Sequence, residues 1–363
     1  MTLRKAVLKV HLYLGVSAAF FLIVLGLTGS VMAFENDIPH WLHRDLWYVK
    51  AGPRVVPEQD LIRAAETRCA PARVTGILFP RHPDIAQAMS MTDGSRVFVN
   101  PYEGSIQGRI RGEFASDRIL SYIHQVHLRL VPDPRSAPRW LSDAGKKVIS
   151  FAGLMLCLLV PTGLILFWRT RRFRIKWSAS WYRIVFDAHH VVGIYAALFL
   201  FVASLTGILI GFELGEEFYY SITHSERPKP QSRAESLVTP DAMPITADRA
   251  IGIARASFPD ATLAQMLIPV NAKGVYMVLM RVPEDTSEAA HSSVVLDQYS
   301  GRVLQTRNFL TDSAGFRAIR FNRSIHTGDI WGTPSHVFVS LSSLALVVMA
   351  VTGLVIWWRK LAV

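Results

Sequence analysis

Residues 7–35 read VLKVHLYLGVSAAFFLIVLGLTGSVMAFE and residues 185–213 read VFDAHHVVGIYAALFLFVASLTGILIGFE, and the two align without a gap at a spacing of 178 residues. His11 falls on His189, Gly15 on Gly193, Leu27-Thr28-Gly29 on Leu205-Thr206-Gly207, and Phe34-Glu35 on Phe212-Glu213. A long apolar segment repeated together with its histidine predicts two matched membrane helices, each carrying a basic nitrogen into the bilayer. Ionisable groups are costly at that depth, so a duplicated one marks a binding site.

The 363-residue chain is 50% hydrophobic, with a mean hydropathy of +0.26. The apolar excess lies in four runs, at about Leu12–Phe34, Val148–Trp168, Val191–Phe212 and Val337–Trp358. Each is near the ~20 residues that cross ~30 Å of hydrocarbon, and four spanning helices are predicted. Arg4, Lys5 and Lys9 precede the first run, Arg169, Arg171, Arg172, Arg174, Lys176 and Arg183 lie between the second and third, and Arg359 and Lys360 follow the fourth. The excess of Lys and Arg in short loops predicts that both termini and the central hairpin are cytoplasmic. Residues 36–147 and 214–336 then lie outside, in the periplasm if the membrane is a bacterial inner membrane. The basic clusters account for most of the net charge of +11, so no nucleic-acid partner is expected.

Val31-Met32-Ala33 resembles a signal-peptide cleavage site, but the match of the first run to an internal segment argues that it stays in place as a helix. Cys69 and Cys157 predict neither a disulfide nor a thiolate metal site.

The second and fourth runs also correspond, Pro161-Thr162-Gly163-Leu164 aligning with Val351-Thr352-Gly353-Leu354, and both runs close on Trp-Arg. The expected fold is an α-helical membrane protein with four transmembrane helices in two parallel repeats, carrying two small periplasmic α+β modules. In this division residues 1–35 form the first span, 36–123 the first module, and 124–168 an outer helix with the second span. Residues 169–184 are a basic loop, 185–213 the third span, 214–318 the second module, and 319–363 an outer segment with the fourth span. Each module opens on an amphipathic helix pattern (Glu58–Ala65; Thr246–Ala254), with Asp or Thr as its cap. A strand ending at proline follows (Val74–Phe79 before Pro80; Leu263–Ile268 before Pro269), then a further strand. A last strand runs into turn chemistry at Asn100-Pro101-Tyr102-Glu103-Gly104 and Asp297-Gln298-Tyr299-Ser300-Gly301. Modules of about 55 residues are marginal alone and are expected to dock on the helices or on each other.

These paired modules, the Asn/Asp-x-Tyr-x-Gly strand endings, the spans ending Thr-Gly-Leu-x-x-x-Trp and the His-x-x-x-Gly and His-Thr-Gly signatures resemble the PepSY-associated transmembrane helix family, from Val7 to Arg359. Its members include iron-regulated inner-membrane proteins and a haem-containing reductase of ferric siderophores. The resemblance implies b-type haem in the helix bundle and reduction of iron in the periplasm.

Against that background the twelve histidines divide by position. His40, His43, His82, His224 and His291 fall in outer segments, where solvated or capping roles are expected. His11 and His189 occupy matched places near the starts of the first and third spans. Two neutral imidazoles facing each other across a bundle hold haem iron at both axial positions. Gly15 and Gly193, one turn on, let a flat macrocycle approach. By similarity to the family's pattern, His127 and His326 are matched as axial ligands of an outer haem. An alternative alignment pairs Ile123-His124 with Ile325-His326, so His124 stays a rival ligand, and His190 and His336 are alternative ligands or neighbours of the iron. Two haem b groups are expected. No second set of ligands for zinc accompanies His11 and His189, and no nucleotide fingerprint, zinc-protease motif or nucleophile elbow is present.

Met32, Met155 and Met349 read as core packing, Trp168, Trp357 and Trp358 as an interfacial belt, and the repeated Thr28, Thr162, Thr206 and Thr352 as packing hydroxyls or neighbours of a haem. Glu35 and Glu213 close their spans with a capping or cation-binding role.

The function expected is a membrane-embedded haem-dependent reductase taking electrons from a quinol or a cytoplasmic reductant to a periplasmic ferric complex, a ferric siderophore above all. No catalytic residue is assigned. The rival is a non-enzymatic membrane protein whose outer modules bind or inhibit a protein partner. A transporter is a third reading, but few polar residues besides His and Thr lie at mid-membrane to form a path.

Overall fold

The computed structural model describes residues 2–131, 133, 136–228, 232–238, 241–287 and 289–361. Its helices in chain order are α1 (Leu3–Met32), α2 (Asp37–Leu42), α3 (Arg44–Trp47), α4 (Glu58–Cys69), α5 (Ala115–Arg129), α6 (Arg139–Thr170), α7 (Trp181–Gly211), α8 (Glu213–Ile222), α9 (Ala247–Ser257), α10 (Ala314–Thr327) and α11 (Thr333–Leu361). The strands are β1 (Val74–Leu78), β2 (Gln87–Met91), β3 (Ser95–Val99), β4 (Ile106–Arg111), β5 (Thr262–Leu267), β6 (Val275–Arg281), β7 (Ser292–Asp297) and β8 (Val303–Arg307). The chain divides into two compact units, a helical one drawn from residues 1–35, 118–225 and 318–363 and a sheet-containing one from 36–117 and 226–317.

In the helical unit α1, α6, α7 and α11 are each long and apolar enough to cross a membrane. They run past the apolar stretches that mark them in the sequence, because the helical hydrogen-bond ladder continues into the polar residues at each end. α1 packs on α6 and α11, and α7 on the same two, closing a four-helix ring. Its centre is Ala18 and Leu22 of α1, Leu156 and Leu159 of α6, Leu200 of α7 and Leu346 of α11. Outward-facing Phe20 and Leu198 are about two-thirds exposed, as side chains that meet lipid would be. Lipid solvates leucine as well as a protein interior does, so such helices hold together by close packing of small residues. Gly26 shows this: a Cβ there would stand 2.6 Å from the Ser343 carbonyl oxygen of α11.

The second unit is one antiparallel sheet in the order β4-β3-β2-β1-β5-β6-β7-β8. The two modules join through β1 and β5, with Ile77 opposite Met266, and both side chains are completely buried. α4 and α9 pack on each other and on the sheet. Their caps are exchanged between modules. The Asp248 carboxylate accepts the Glu58 and Gln59 backbone N–H groups at 2.9 and 3.0 Å, while Gln59 Oε1 accepts the Ala247 N–H at 3.0 Å. Thr246 caps its own helix, accepting from the Arg249 N–H.

The two turns form as the sequence implies, with the Asn100 and Asp297 side chains accepting the N–H of Tyr102 and Tyr299. Two strands go beyond the sequence expectation of three per module: β4 and β8 are short edge strands, and their polar sequences IQGRIR and VLQTR hide the alternation that would reveal them.

Candidate functional site: four histidines on threonine-glycine cradles

Four histidines of the helical unit meet the same dipeptide. His11 of α1 lies against Thr162-Gly163 of α6, and His189 of α7 against Thr352-Gly353 of α11. His127 of α5 lies against Thr28-Gly29 of α1, and His326 of α10 against Thr206-Gly207 of α7. In each case the histidine Nδ1 is hydrogen-bonded to the threonine Oγ1, at 2.9 Å for His11, 2.8 Å for His189, 2.8 Å for His127 and 3.0 Å for His326. The adjoining glycine lets the ring lie on the helix backbone: a Cβ would come 3.2 Å from Cε1 of His11, 3.4 Å from that of His189, 3.3 Å from that of His127 and 3.0 Å from that of His326.

The direction of these bonds follows from what the hydroxyls do on their own helices. Thr28 donates to the Val24 carbonyl at 2.6 Å, Thr162 to Leu158 at 2.8 Å, Thr206 to Val202 at 2.7 Å and Thr352 to Val348 at 2.6 Å. A hydroxyl has one proton, so toward histidine each threonine acts as acceptor and Nδ1 carries the hydrogen. The remaining nitrogen, Nε2, then presents a lone pair, and among the described residues no protein group bonds any of the four. A fixed tautomer with a free Nε2 is the form in which histidine ligates a metal.

The pairing of the sites is also visible. His11 and His189 line one cavity of about 300 Å³ inside the four-helix ring, the lower end of the range of about 300–1,000 Å³ typical of organic-ligand sites. Its walls are apolar, with Leu159, Leu200, Met349 and both Gly15 and Gly193 among them. At Gly193 a Cβ would press on Met349 Cε at 2.9 Å, so glycine keeps this wall back. Burial lowers the His127 pKa to about 3, with smaller contributions in the same direction from His326 and His124.

The other candidates have different partners. His124 is turned to Glu35, whose carboxylate lies 2.8 Å from its Nδ1, so the structure places His127 rather than His124 on the threonine-glycine cradle that corresponds to that of His326. His190 lines the inner cavity but its Nδ1 donates to the Phe186 carbonyl at 2.8 Å, and His336 Nε2 lies 3.4 Å from Asp329. In the sheet unit, His43 stacks on Phe114 and His291 bonds Asp285 at 2.9 Å. Sequence reasoning gives the threonines as packing hydroxyls or neighbours of a haem; the signal for their role as acceptors is that Thr-Gly occurs four times within the apolar runs, once for each of these four histidines. Glu35 is the partner of His124, a pairing that no spacing in the sequence announces.

Among the described residues no three or more His, Cys, Asp or Glu side chains converge as a metal site. Two imidazoles lining an apolar cavity are instead a donor set that would fit an iron whose other positions a planar macrocycle fills, and the residues present would suit b-type haem. Among curated proteins none matches this sequence. The family model of the PepSY-associated TM region matches residues 8–360, nearly the whole chain, and the protein belongs to that family.

Proposed function

We propose that this protein is a di-haem b-type reductase of the bacterial inner membrane that passes electrons to a periplasmic ferric complex of the siderophore class and so releases Fe(II). In this reading both termini are cytoplasmic, the two modules are periplasmic, and the four spans are an internal duplication in two parallel repeats. The observation that carries it is the set of four histidines whose Nδ1 atoms are held by threonine and whose Nε2 atoms are free. His11 and His189 would hold the inner haem, His127 and His326 the outer one. When bound, haem supplies a one-electron couple between a quinol or cytoplasmic reductant and the ferric complex.

The chain's own contributions are separable. The imidazoles hold iron, and the threonine hydroxyls fix their tautomer and ring plane. The leucine and alanine walls keep water from the inner site, while the glycines leave width for a flat ligand. A ferric ion reduced to Fe(II) loses attraction to the hard oxygen donors of its chelator, so the protein needs no acid or base on the substrate.

The oxidised and dithionite-reduced absorption spectra of the detergent-purified protein, with haem counted per chain, test the proposal. Two haems with low-spin b-type bands are expected, one being lost in His11→Ala and one in His326→Ala. A colourless, folded protein from haem-sufficient cells overturns it and leaves the outer modules, as binders of a protein partner, as the functional part.

A further inference from the structure

The inner cavity is apolar except for its histidines and one end. There Arg4 of α1 and Lys360 of α11 join the lining. Arg4 stands seven residues before His11, and Lys360 seven residues after Gly353, the glycine that cradles His189. Seven residues are two turns, so each cation shares a helix face with its histidine site, about 10 Å away along the axis. α1 and α11 are packed neighbours, which brings the two cations to one side of the mouth.

Nearby basic residues are otherwise occupied. Arg172 and Arg183 bond the buried Asp187 at 2.8 and 2.9 Å, and the Arg359 guanidinium lies over the rings of Trp181 and Tyr182. Among the described residues neither Arg4 nor Lys360 has a carboxylate partner. The two also break the internal repeat. At the 178-residue spacing Arg4 falls on Tyr182, and at the spacing that superposes Thr162 on Thr352, Lys360 falls on Thr170. The histidines and cradles of the inner site are duplicated, and its cations are not.

From this geometry we infer that Arg4 and Lys360 form a carboxylate clamp for the two propionates of the inner macrocycle, giving it one orientation in a site whose axial ligands alone would accept two. The clamp rests on the haem reading above. It would act by charge-assisted hydrogen bonds at the mouth, leaving Leu22, Leu200 and Leu346 of the cavity lining to receive the apolar, vinyl- and methyl-bearing edge of the macrocycle.

Transfer of haem from the purified holoprotein to excess apomyoglobin tests this, since two sites release their haem in two phases. In the double variant Arg4→Gln/Lys360→Gln one phase is expected to quicken about tenfold, the other staying as it was, and Arg4→Lys in place of Arg4→Gln restores part of the slow release. The full chain loaded with haem dimethyl ester, which lacks the carboxylates, should lose it at the fast rate whether or not the cations are present. Equal release of haem and its ester from the unaltered protein overturns the clamp, as does a release rate that follows the anionic lipid content, which would make the two cations partners of lipid phosphate. Absence of any haem spectrum in the unaltered protein would instead overturn the reading on which the clamp rests.

Discussion

The helical bundle and the sheet unit are both sewn together by polar contacts between parts of the chain far apart in sequence, yet the contacts end differently. In the sheet, Asp248 and Gln59 exchange caps between α4 and α9, and every group in that exchange finds its partner within the protein. In the bundle, each of the four cradled histidines has one nitrogen tied to a threonine and the other left with a lone pair. A polar contact that closes on itself serves folding; one that leaves a directed, unused donor atom is preorganised for a ligand. Substitutions in the two regions should therefore separate colour from stability.

The largest effect is expected at the ligands. His127→Ala should remove one haem of two, whereas His124→Ala, which breaks only the contact with Glu35, should keep both. Pyridine haemochrome counts per chain on the two variants decide it. Two haems remaining in His127→Ala would return the outer ligand to His124 and dissolve the cradle pattern.

Next comes a pH effect confined to the sheet. Glu58 is 7% exposed; burial pushes its carboxyl up to about 7, against the Gln87 hydrogen bond that favours ionisation, and Asp248 adds to the rise. The folded pKa lies above the ordinary value of 4.5, so the unfolded chain gives up this proton first as pH rises. The stabilisation is full below about pH 4.5, declines from there and is lost as pH passes about 7, a span worth on the order of 3 kcal/mol. The protection factors of the β1–β3 amides, which remove the intrinsic rise of exchange with pH, should fall over that window and should stay level in Glu58→Gln, while haem content stays level throughout. A flat profile in the unaltered protein would break this side of the comparison.

A smaller effect is expected at the threonines. Thr206→Val leaves the His326 Nδ1–H without its acceptor, at a cost of about 1–3 kcal/mol, while Thr206→Ser keeps the bond. With the tautomer no longer fixed, the low-spin signal of one haem should shift or broaden in the valine variant and stay sharp in the serine variant. A purely structural threonine would lower the melting temperature in Thr206→Val and leave that signal unmoved.

The four spans, the paired histidines and the two turns were legible because their signals are local: apolar length, a 178-residue repeat, and Asn or Asp ahead of glycine. What escaped the sequence depends on which helices become neighbours. Nothing in Thr28-Gly29 shows that His127, 99 residues away, will settle on it, so the tie between His124 and His127 had no local resolution. The junction of β1 with β5 is hidden for the same reason. Both strands end at a proline, which reads as a stop, and the pairing that joins the modules appears only when the two exposed edges meet.

The smallest effect separates the two regions most finely. Asp248→Ala removes the carboxylate that accepts two backbone N–H groups at the start of α4, a cap worth about 1 kcal/mol. The same carboxylate raises the Glu58 pKa, so its removal also relieves a repulsion that exists only when Glu58 is ionised. Below about pH 7 the variant should show the full loss of the cap, and above it the loss should shrink as the relief of Glu58 offsets it. Hydrogen exchange at the first α4 amides, compared between pH 5.5 and 8 (about 1.5 below and 1 above that pKa), reads the difference. Two haems per chain should persist at both pH values, because the four histidine cradles lie within the helical unit and Asp248 within the other. A loss of colour in Asp248→Ala would show that the sheet's caps support the bundle's ligands, and the division between contacts that fold the protein and contacts that await a ligand would fail.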